Sequence, residues 1–336
     1  MKLGLIWGYW GQLPPPNLIE TTKLAEDLGF DSVWTAEAWG SDAFTPLAYL
    51  AGHTSTIKLG TSVVQIAGRT PTATAMHAIT LDHLSNGRLI LGLGVSGPQV
   101  VEGWYGRPYR KPLARTREYV EIIRRVLARE EPLEFDGEFY QHPYHGPDSM
   151  GLGKPLKSIT HPLRREIPIY LGAEGPKNVA MTAEIADGWF PLYYSPFRQE
   201  VYAEHLAGAQ PGFETVAMAN ISITDDVESA LMPVKMMLGF YIGGMGAKGK
   251  NFHTDLMARM GFEDEAYKIQ DLFFEGRRDE AIAAVPTEFA DEISLVGPPS
   301  RIKERLAVWE DSPVTTLTMY PSSPDQMRLA AEIILG

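Results

Sequence analysis

Eight short apolar runs, each followed by a helical pattern, limit the folds open to this chain more than any other feature. Several runs are rich in β-branched or aromatic residues, as strands are. The runs are Leu3–Trp7, Asp31–Thr35, Lys58–Val64, Arg88–Gly94, Ile167–Leu171, Gly188–Pro191, Thr215–Thr224 and Thr315–Tyr320. Alternating strands and helices indicate a parallel sheet covered by helices. Eight such units predict an α/β fold, a (β/α)8 TIM barrel that forms one domain over residues 1–336.

The predicted barrel carries two insertions, because two connections are longer than one crossover needs. The first, about residues 131–166 after the fourth strand, is rich in Pro and Gly, and we expect its part from Gln141 to Arg165 to lie over a site. The second, about residues 225–292 after the seventh strand, has a mostly helical pattern. Loops after strands form the catalytic face of such barrels, so we expect the second insertion to cap the barrel mouth.

Charge and composition exclude several classes of protein. The formal net charge of −12 argues against a nucleic-acid partner, because phosphate contacts need clustered Lys and Arg. The chain has no cysteine, so disulfides, thiolate nucleophiles and cysteine-ligated metals are excluded. No apolar run approaches the length of a membrane span, and Leu3–Trp7 is too short for a signal peptide. We therefore expect a cytoplasmic enzyme that acts on a small molecule, with no membrane partner.

Motif matches to other enzyme classes are weak. Residues 92–97 match G-x-G-x-x-G, but Pro98 follows at once and the next helical pattern starts well downstream, so a Rossmann site is not favoured. Residues 244–250 have the P-loop spacing, but Asn251 stands where Ser or Thr would hold Mg²⁺. The scattered histidines form no ligand set, so no metal is predicted, and no Gly-x-Ser-x-Gly elbow of a serine hydrolase is present.

The barrel prediction brings together polar and glycine residues that are far apart in sequence. Glu37 follows the second strand, Ser62 to Gln65 end the third, Gly94 to Ser96 end the fourth, and Gly172 to Gly175 follow the fifth. These positions lie at the carboxyl ends of strands, where barrel enzymes hold their ligands. The last of these turns precedes a helix with Lys177 in its first turn, and a helix N-terminus with free N–H groups favours an anion.

Six stretches together resemble the bacterial luciferase-like superfamily and, more narrowly, its coenzyme F420-dependent oxidoreductases. They are the N-terminal strand, WTAEAWGSD from Trp34, LGTSVVQIAGRTP from Leu59, GRLILGLGVSGP from Gly87, WYGRPYRKP from Trp104 and IYLGAEGP from Ile169. The resemblance spans nearly the whole chain. It implies the barrel and hydride transfer between the deazaflavin F420 and a small organic substrate. FMN enzymes share this barrel, so FMN is the alternative cofactor.

The resemblance also implies roles for individual residues. It places Glu37 beside the deazaflavin ring, where it is also the first candidate for a catalytic acid or base. It implies a cis peptide between Ser62 and Val63 behind the ring, and it places Gln65 at the polar edge of the ring. The remaining implied cofactor contacts are Gly94, Val95 and Ser96 on the ribityl and phosphate side, and Gly172, Ala173, Glu174 and Gly175 at the phosphate.

Two departures from the family pattern bear on the substrate. Ala38 stands where the sugar-phosphate and alcohol dehydrogenases have His, and Gly97 stands where the sugar-phosphate enzymes have Glu. Their acid–base pair is therefore missing, and we do not expect sugar-phosphate oxidation. Trp39, Trp104 and Tyr105 are predicted instead to form an aromatic pocket for an apolar or unsaturated substrate.

Three functions remain open on the sequence. The first is an F420-dependent oxidoreductase, and the second is an FMN-dependent two-component monooxygenase on the same fold. The third is a non-catalytic cofactor-binding protein. The resemblance implies a homodimer, and it leaves the substrate and the direction of hydride transfer open.

Overall fold

The computed structural model describes residues 1–336 and contains thirteen strands. In chain order they are β1 (Lys2–Gly8), β2 (Ser32–Thr35), β3 (Lys58–Thr61), β4 (Val64–Gln65), β5 (Leu89–Gly94), β6 (Phe135–Asp136), β7 (Gln141–His142), β8 (Ile169–Gly172), β9 (Gly188–Phe190), β10 (Glu214–Met218), β11 (Asn220–Ile223), β12 (Ser294–Gly297) and β13 (Thr316–Met319). Eight of them pair in parallel in the order β3-β2-β1-β13-β10-β9-β8-β5, and a β3–β5 pairing closes the ring. The predicted (β/α)8 barrel is confirmed.

Fourteen α-helices surround or extend this barrel. They are α1 (Leu18–Asp27), α2 (Phe44–Ala51), α3 (Pro71–Leu84), α4 (Pro98–Gly103), α5 (Pro112–Ala128), α6 (Pro176–Ile185), α7 (Glu200–Leu206), α8 (Val227–Gly244), α9 (Phe252–Arg259), α10 (Glu263–Phe274), α11 (Arg278–Ala283), α12 (Thr287–Glu292), α13 (Pro299–Glu310) and α14 (Pro324–Ile334). Helix α4 lies inside the stretch predicted as a loop, and it begins directly after Gly97, contrary to the expectation of a distant helix. It is only six residues long and follows a barrel strand, so it does not create a Rossmann site.

The predicted third strand, Lys58–Val64, is interrupted in the structure. β3 ends at Thr61, the Ser62–Val63 peptide is cis as the family resemblance implied, and β4 resumes the pairing with β5. The Thr61 hydroxyl spans the gap, because it donates to the Gly92 carbonyl and accepts from the Gly92 N–H, each at 2.8 Å. The exit of the third strand is therefore held against β5 although its own ladder is broken.

The predicted seventh strand, Thr215–Thr224, is two strands. β10 belongs to the barrel, whereas β11 leaves it and pairs in parallel with β12, a strand that the sequence pattern did not predict. The change falls at Ala219, whose N–H still donates to the Thr318 carbonyl at 3.0 Å. The two strands of this small sheet thus flank the 225–292 insertion, one before it and one after it in the chain.

The lower interior of the barrel is filled by side chains. Ile6, Trp34, Ile90, Tyr170 and Val216 form one buried cluster there, with Phe190 and Met218 packed on it. The Trp34 ring packs edge-on against Phe190, with ring centroids 4.8 Å apart. Residue 60 must be glycine beside this ring, since a Cβ there would lie 2.0 Å from a Trp34 ring carbon. Open space is therefore left only toward the carboxyl ends of the strands.

The two insertions lie at different places on the barrel. The first follows helix α5 and precedes β8, so it approaches the barrel from the amino-terminal side of the strands. Its Arg164 binds Asp82 near the end of α3 and the carbonyl of Leu89, the first residue of β5. No residue of Gln141–Arg165 lines the cavity described below, so the expectation that this segment lies over a site was wrong. The second insertion, α8 to α12, does reach the cavity.

None of the fourteen helices combines the length and the apolar character that crossing a lipid bilayer requires.

Candidate active site

A cavity of about 850 Å³ opens at the carboxyl ends of the barrel strands. Its size is that of a site for a cofactor or a small ligand. All eleven residues predicted to contact the cofactor line it, and so does Trp39. They are Glu37, Ser62, Val63, Gln65, Gly94, Val95, Ser96, Gly172, Ala173, Glu174 and Gly175. Ile6, Phe190, Val216 and Met218 line it from below, so the cavity rests directly on the filled interior of the barrel.

Glu37 is the most deeply placed charged residue of the cavity, with a side chain only 4% exposed. Its Oε1 accepts from Arg69 Nη1 at 2.8 Å and from the Gln65 N–H at 3.2 Å. Gln65 Nε2 donates to the Glu37 carbonyl at 2.9 Å, which ties the exit of β2 to β4. Burial lowers the pKa of the Arg69 guanidinium, but the hydrogen bond and charge of Glu37 outweigh burial and raise it overall. The pair is a nearly buried ion pair at the edge of the cavity.

Tyr105 and Trp104 do not line the cavity, although both were predicted in the substrate pocket. The Tyr105 hydroxyl lies 3.5 Å from Glu37 Oε1, behind the ion pair. Burial and then the charge of Glu37 raise the pKa of Tyr105 to about 12, so its hydroxyl keeps its proton at neutral pH. Trp104 is 62% exposed. The structure therefore brings only Trp39 of the three predicted aromatics into the cavity.

Three buried polar atoms on the β2–β3 side of the cavity have no well-directed hydrogen bond. They are Glu37 Oε2, Ser62 Oγ and Gln65 Oε1. Arg69 Nη1 is also 2.8 Å from Glu37 Oε2, but it donates to Oε1, and the short distance to Oε2 is a charge contact. Buried polar atoms without hydrogen bonds cost free energy, and three of them on residues that line one cavity indicate a polar ligand edge.

Val63 and two glycines shape the neighbouring wall. A Cβ on residue 94 would lie 2.4 Å from Val63 Cγ2, and one on residue 172 would lie 3.5 Å from Val63 Cγ1. The Val63 side chain therefore occupies the space that a side chain at position 94 would need. This explains why β5 must end in glycine at the cavity.

The turn between β8 and α6 has the features of an anion site. Gly175 is the N-cap of α6, and Pro176 is its first residue. The backbone N–H groups of Glu174, Gly175 and Lys177 donate to no protein acceptor. All three residues line the cavity. Free N–H groups at the start of a helix, with a Lys beside them, attract an anion such as a phosphate.

The second insertion supplies the far wall of the cavity. Gly244, Met245 and Gly246 at the end of α8 and Phe252 and His253 at the start of α9 line it. His253 Nδ1 lies 2.9 Å from Glu174 Oε2, and Arg259 Nη2 donates to the Glu174 carbonyl at 2.9 Å. The insertion is therefore fastened to the predicted phosphate turn by two of its side chains.

The sequence interpretation missed the role of His253 in this site and the contact between Arg69 and Glu37. Arg69 lies in the polar exit of the third strand, next to residues that were chosen, but nothing in the spacing shows that it meets Glu37, 32 positions away. His253 lies 79 positions from Glu174, inside an insertion whose fold the pattern did not resolve. Neither contact has a local signal in the sequence.

A second hollow, of about 1010 Å³, lies on the outer face of α5 and holds none of the predicted site residues. Charged side chains dominate its lining, and several are already paired, such as Arg117 with Glu184 and Arg124 with Asp187. Its lining includes no buried carboxylate and no glycine turn. We therefore take the barrel cavity as the candidate active site.

Comparison with known proteins adds to this geometry. The luciferase-like monooxygenase family matches residues 7–316. A protein of Mycobacterium tuberculosis, named "Putative coenzyme F420-dependent oxidoreductase", is 52% identical over 99% of both chains. A 5,10-methylenetetrahydromethanopterin reductase of Archaeoglobus fulgidus is 31% identical over 91% of this chain and 90% of its own. The solved structure of a coenzyme F420-dependent tetrahydromethanopterin reductase from Methanopyrus kandleri shares the fold, with a TM-score of 0.80 at 23% identity over 99% of this chain and 98% of its own.

Proposed function

The chain belongs to the luciferase-like monooxygenase family, and we propose that within it the protein is a coenzyme F420-dependent oxidoreductase. It would transfer a hydride between the deazaflavin and a small organic substrate. The relative named for F420 dependence is 52% identical over 99% of both chains, which supports F420 as the cofactor over FMN. The named reductase of Archaeoglobus fulgidus supports redox chemistry on the same scaffold.

One observation carries the proposal. A single cavity joins residues with three buried polar atoms that lack a well-directed hydrogen bond to a turn of free backbone N–H groups. A ligand with a flat polar ring and an anionic tail satisfies both groups at once. A deazaflavin with a phosphate-linked tail has both parts, so the residues present fit this cofactor.

Each group of residues would have its own task. Ser62, Gln65 and Glu37 would meet the polar edge of the ring, and Val63 would support its face. Gly94, Val95 and Ser96 would line the chain that joins ring and phosphate, and the absence of a Cβ at Gly94 makes room for Val63 beside it. Glu174 and Gly175 would bind the phosphate through their free backbone N–H groups, and Gly172 and Ala173 would line the turn beside it. When bound, F420 supplies a ring carbon that accepts or releases a hydride.

Glu37 is the residue that we propose for proton handling. It is buried, it lines the cavity, and Arg69 and Gln65 hold its carboxylate in one place. A fixed carboxylate within reach of a ligand can accept a proton, provided that the ligand lies within hydrogen-bond distance. The Tyr105 hydroxyl donates from behind and keeps the carboxylate oriented toward Arg69.

The substrate would be apolar or unsaturated. Trp39, Met245 and Phe252 line the cavity, and sixteen of its thirty-five lining residues are hydrophobic. Ala38 supplies no imidazole beside Glu37, which separates this site from the sugar-phosphate and alcohol dehydrogenases of the family. Apolar side chains around the entrance exclude water from the reacting carbon.

Titration of the purified protein with F420 and with FMN, followed by fluorescence, tests the proposal. We expect F420 to bind more tightly than FMN. Binding of neither cofactor would overturn the proposal. Preference for FMN would favour the two-component monooxygenase, and F420 binding without turnover over a broad panel of ketones, enones and imines would favour a non-catalytic protein.

A substitution in the cavity tests where the cofactor binds. Gln65→Leu removes the unpartnered acceptor and the amide donor, and we expect F420 affinity to fall roughly tenfold. Gln141→Leu is the matched control, because Gln141 lies in the first insertion, outside the cavity. An equal effect of the two substitutions would place the cofactor elsewhere.

We also propose that the protein forms a homodimer, which the family resemblance implies. Large apolar side chains of the first insertion, Met150, Leu152 and Ile159, are between 79% and 96% exposed in the single chain. Exposed apolar side chains grouped on one segment are typical of an interaction surface. Light scattering coupled to gel filtration tests this, and a monomer at micromolar concentration would contradict it.

A further inference from the structure

His253 lies at an unusual position, and the proposed function gives it no role. It is the second residue of α9, in the second insertion, yet it lines the barrel cavity. Its Nδ1 is 2.9 Å from Glu174 Oε2. Its ring lies between Tyr193 and Tyr241, with centroids at 6.0 and 5.3 Å. Contacts with Glu174, Tyr193 and Tyr241 therefore hold the imidazole ring in one orientation.

The other ring nitrogen is left for a ligand. Nε2 of His253 has no hydrogen-bond partner within the protein, while Nδ1 is committed to Glu174. A carboxylate on one ring nitrogen fixes the tautomer and directs the chemistry to the other. Because the side chain is 15% exposed and lines the cavity, Nε2 can meet a molecule bound there.

The charge at Glu174 also needs an explanation. Its backbone N–H belongs to the anion-binding turn, but its carboxylate would repel an anion in that turn. The structure shows this carboxylate bound to His253 and the carbonyl of the same residue bound to Arg259. Both partners come from α9, and Lys177 lies in the first turn of α6. In its imidazolium form, His253 would offset the carboxylate and offer an N–H to the anion.

We propose that His253 is a ligand for the anionic tail of the cofactor, so that cofactor binding fastens the second insertion to the barrel. The inference rests on the proposed function, since it takes F420 as the ligand. In the imidazolium form of His253, Nε2–H would donate to the phosphate beside the free N–H groups of the turn. Glu174 is a positioning residue that holds the imidazole, and its carboxylate does not touch the phosphate. The insertion thereby recognises the tail, in addition to covering the substrate.

Two ligands separate the tail from the ring. One is F420, and the other is the tail-free deazaflavin, which carries the ring and the ribityl chain but no phosphate. We expect His253→Ala to weaken F420 binding roughly tenfold, the loss of one charge-assisted hydrogen bond, and to leave binding of the tail-free deazaflavin within about twofold. Dissociation constants come from fluorescence titration. Unchanged binding of the tail-free ligand shows that the variant is folded.

The chain offers a matched control. His205 pairs with Glu204 at 3.4 Å on α7, outside the cavity, so His205→Ala removes a similar histidine–glutamate contact. We expect it to change neither dissociation constant. Hydrogen exchange gives a second readout: F420 should slow exchange in α9 of the wild type, and this protection should be lost in His253→Ala.

The outcomes distinguish this inference from the proposed function. If wild-type protein binds neither ligand, both proposals are overturned. If wild-type protein binds F420 and His253→Ala binds it equally well, only the His253 inference is overturned. Equal weakening of the binding of both ligands would also overturn it, because His253 would then shape the cavity and would not bind the anion.

Discussion

Residues 131–166 and residues 225–292 both interrupt the regular alternation of strand and helix, but only the second stretch reaches the cavity. The first joins a helix to a strand, from α5 to β8, and such connections lie on the amino-terminal face of a barrel. The second follows β11, the strand that continues from barrel strand β10, on the face where ligands bind. The type of connection, and not its length or its content of Pro and Gly, decides whether an insertion can contribute to function.

The largest expected effect is on stability, from the first insertion. Arg164 reaches Asp82, whose side chain is fully buried, and also donates to the Leu89 carbonyl at 2.7 Å. Arg164→Ala leaves a buried carboxylate without its partner, so we expect the free energy of unfolding to fall by about 3 kcal/mol. F420 affinity should stay unchanged, because the contact is remote from the cavity. Urea unfolding measures the first quantity and fluorescence titration the second.

Arg165→Ala is the control for that experiment. Arg165 is exposed and forms no ion pair, although it is adjacent in sequence. We expect its loss to leave the unfolding midpoint in place. If Arg164→Ala reduced the free energy of F420 binding as much as the free energy of unfolding, the proposed difference between the two insertions would be contradicted.

A smaller loss of stability should arise within the second insertion. The buried Asn251 side chain donates to the Tyr241 and Ile242 carbonyls at 3.0 and 2.9 Å, and its Oδ1 accepts from the His253 N–H at 2.9 Å. The Asn251 side chain thus caps the carboxyl end of α8 and the amino end of α9. Asn251→Ala should cost about 2 kcal/mol and weaken F420 binding as well, because α9 carries His253. Limited proteolysis would report the loosened junction, and full F420 affinity in this variant would contradict the role given to α9.

A matched pair of apolar truncations sharpens the comparison further. Phe252 lines the cavity and Leu152 lies in the first insertion, and both side chains are substantially exposed, at 42% and 79%. Phe252→Ala should weaken F420 binding roughly fivefold, about 1 kcal/mol of apolar contact, and Leu152→Ala should leave it unchanged. Titration of the two variants side by side is sufficient. A reversed order would place the ligand against the first insertion.

The smallest effect is expected at the outer surface of the second insertion. Lys248 and Asp271 form an ion pair at 2.8 Å, with both side chains more than half exposed. Exposed pairs contribute little, so Lys248→Ala should shift neither the melting temperature nor F420 affinity measurably. Thermal unfolding followed by circular dichroism checks this. A clear loss of affinity would show that the cavity extends farther along the loop than the lining residues indicate.

Features that depend on local pattern were predictable from the sequence. Strand and helix periodicity was sufficient for the barrel, and the barrel was sufficient to gather Glu37, Gln65, Gly94 and Glu174 at one mouth. The position of the second insertion also followed, because it comes after a strand. The prediction for residues 141–165 ignored the fact that this segment connects a helix to a strand, and it was wrong.

Features that depend on distant contacts were not predictable. β12 exists because it pairs with β11, more than seventy positions earlier, and its own four residues carry no distinct signal. Trp104 and Tyr105 are equally aromatic in sequence, but Tyr105 packs over Gly68 and toward Glu37 whereas Trp104 points to solvent. The orientation of neighbouring side chains on a loop is decided by what the loop meets, which periodicity does not describe.

The filled interior of the barrel constrains the order in which ligands bind. Trp34, Tyr170 and Phe190 leave no passage through the barrel, so every ligand enters and leaves by the one mouth that the second insertion partly covers. The molecule that binds deepest must then arrive first and depart last. If that molecule is the deazaflavin, the substrate closes its exit, and steady-state kinetics should show compulsory-order addition with the cofactor leading.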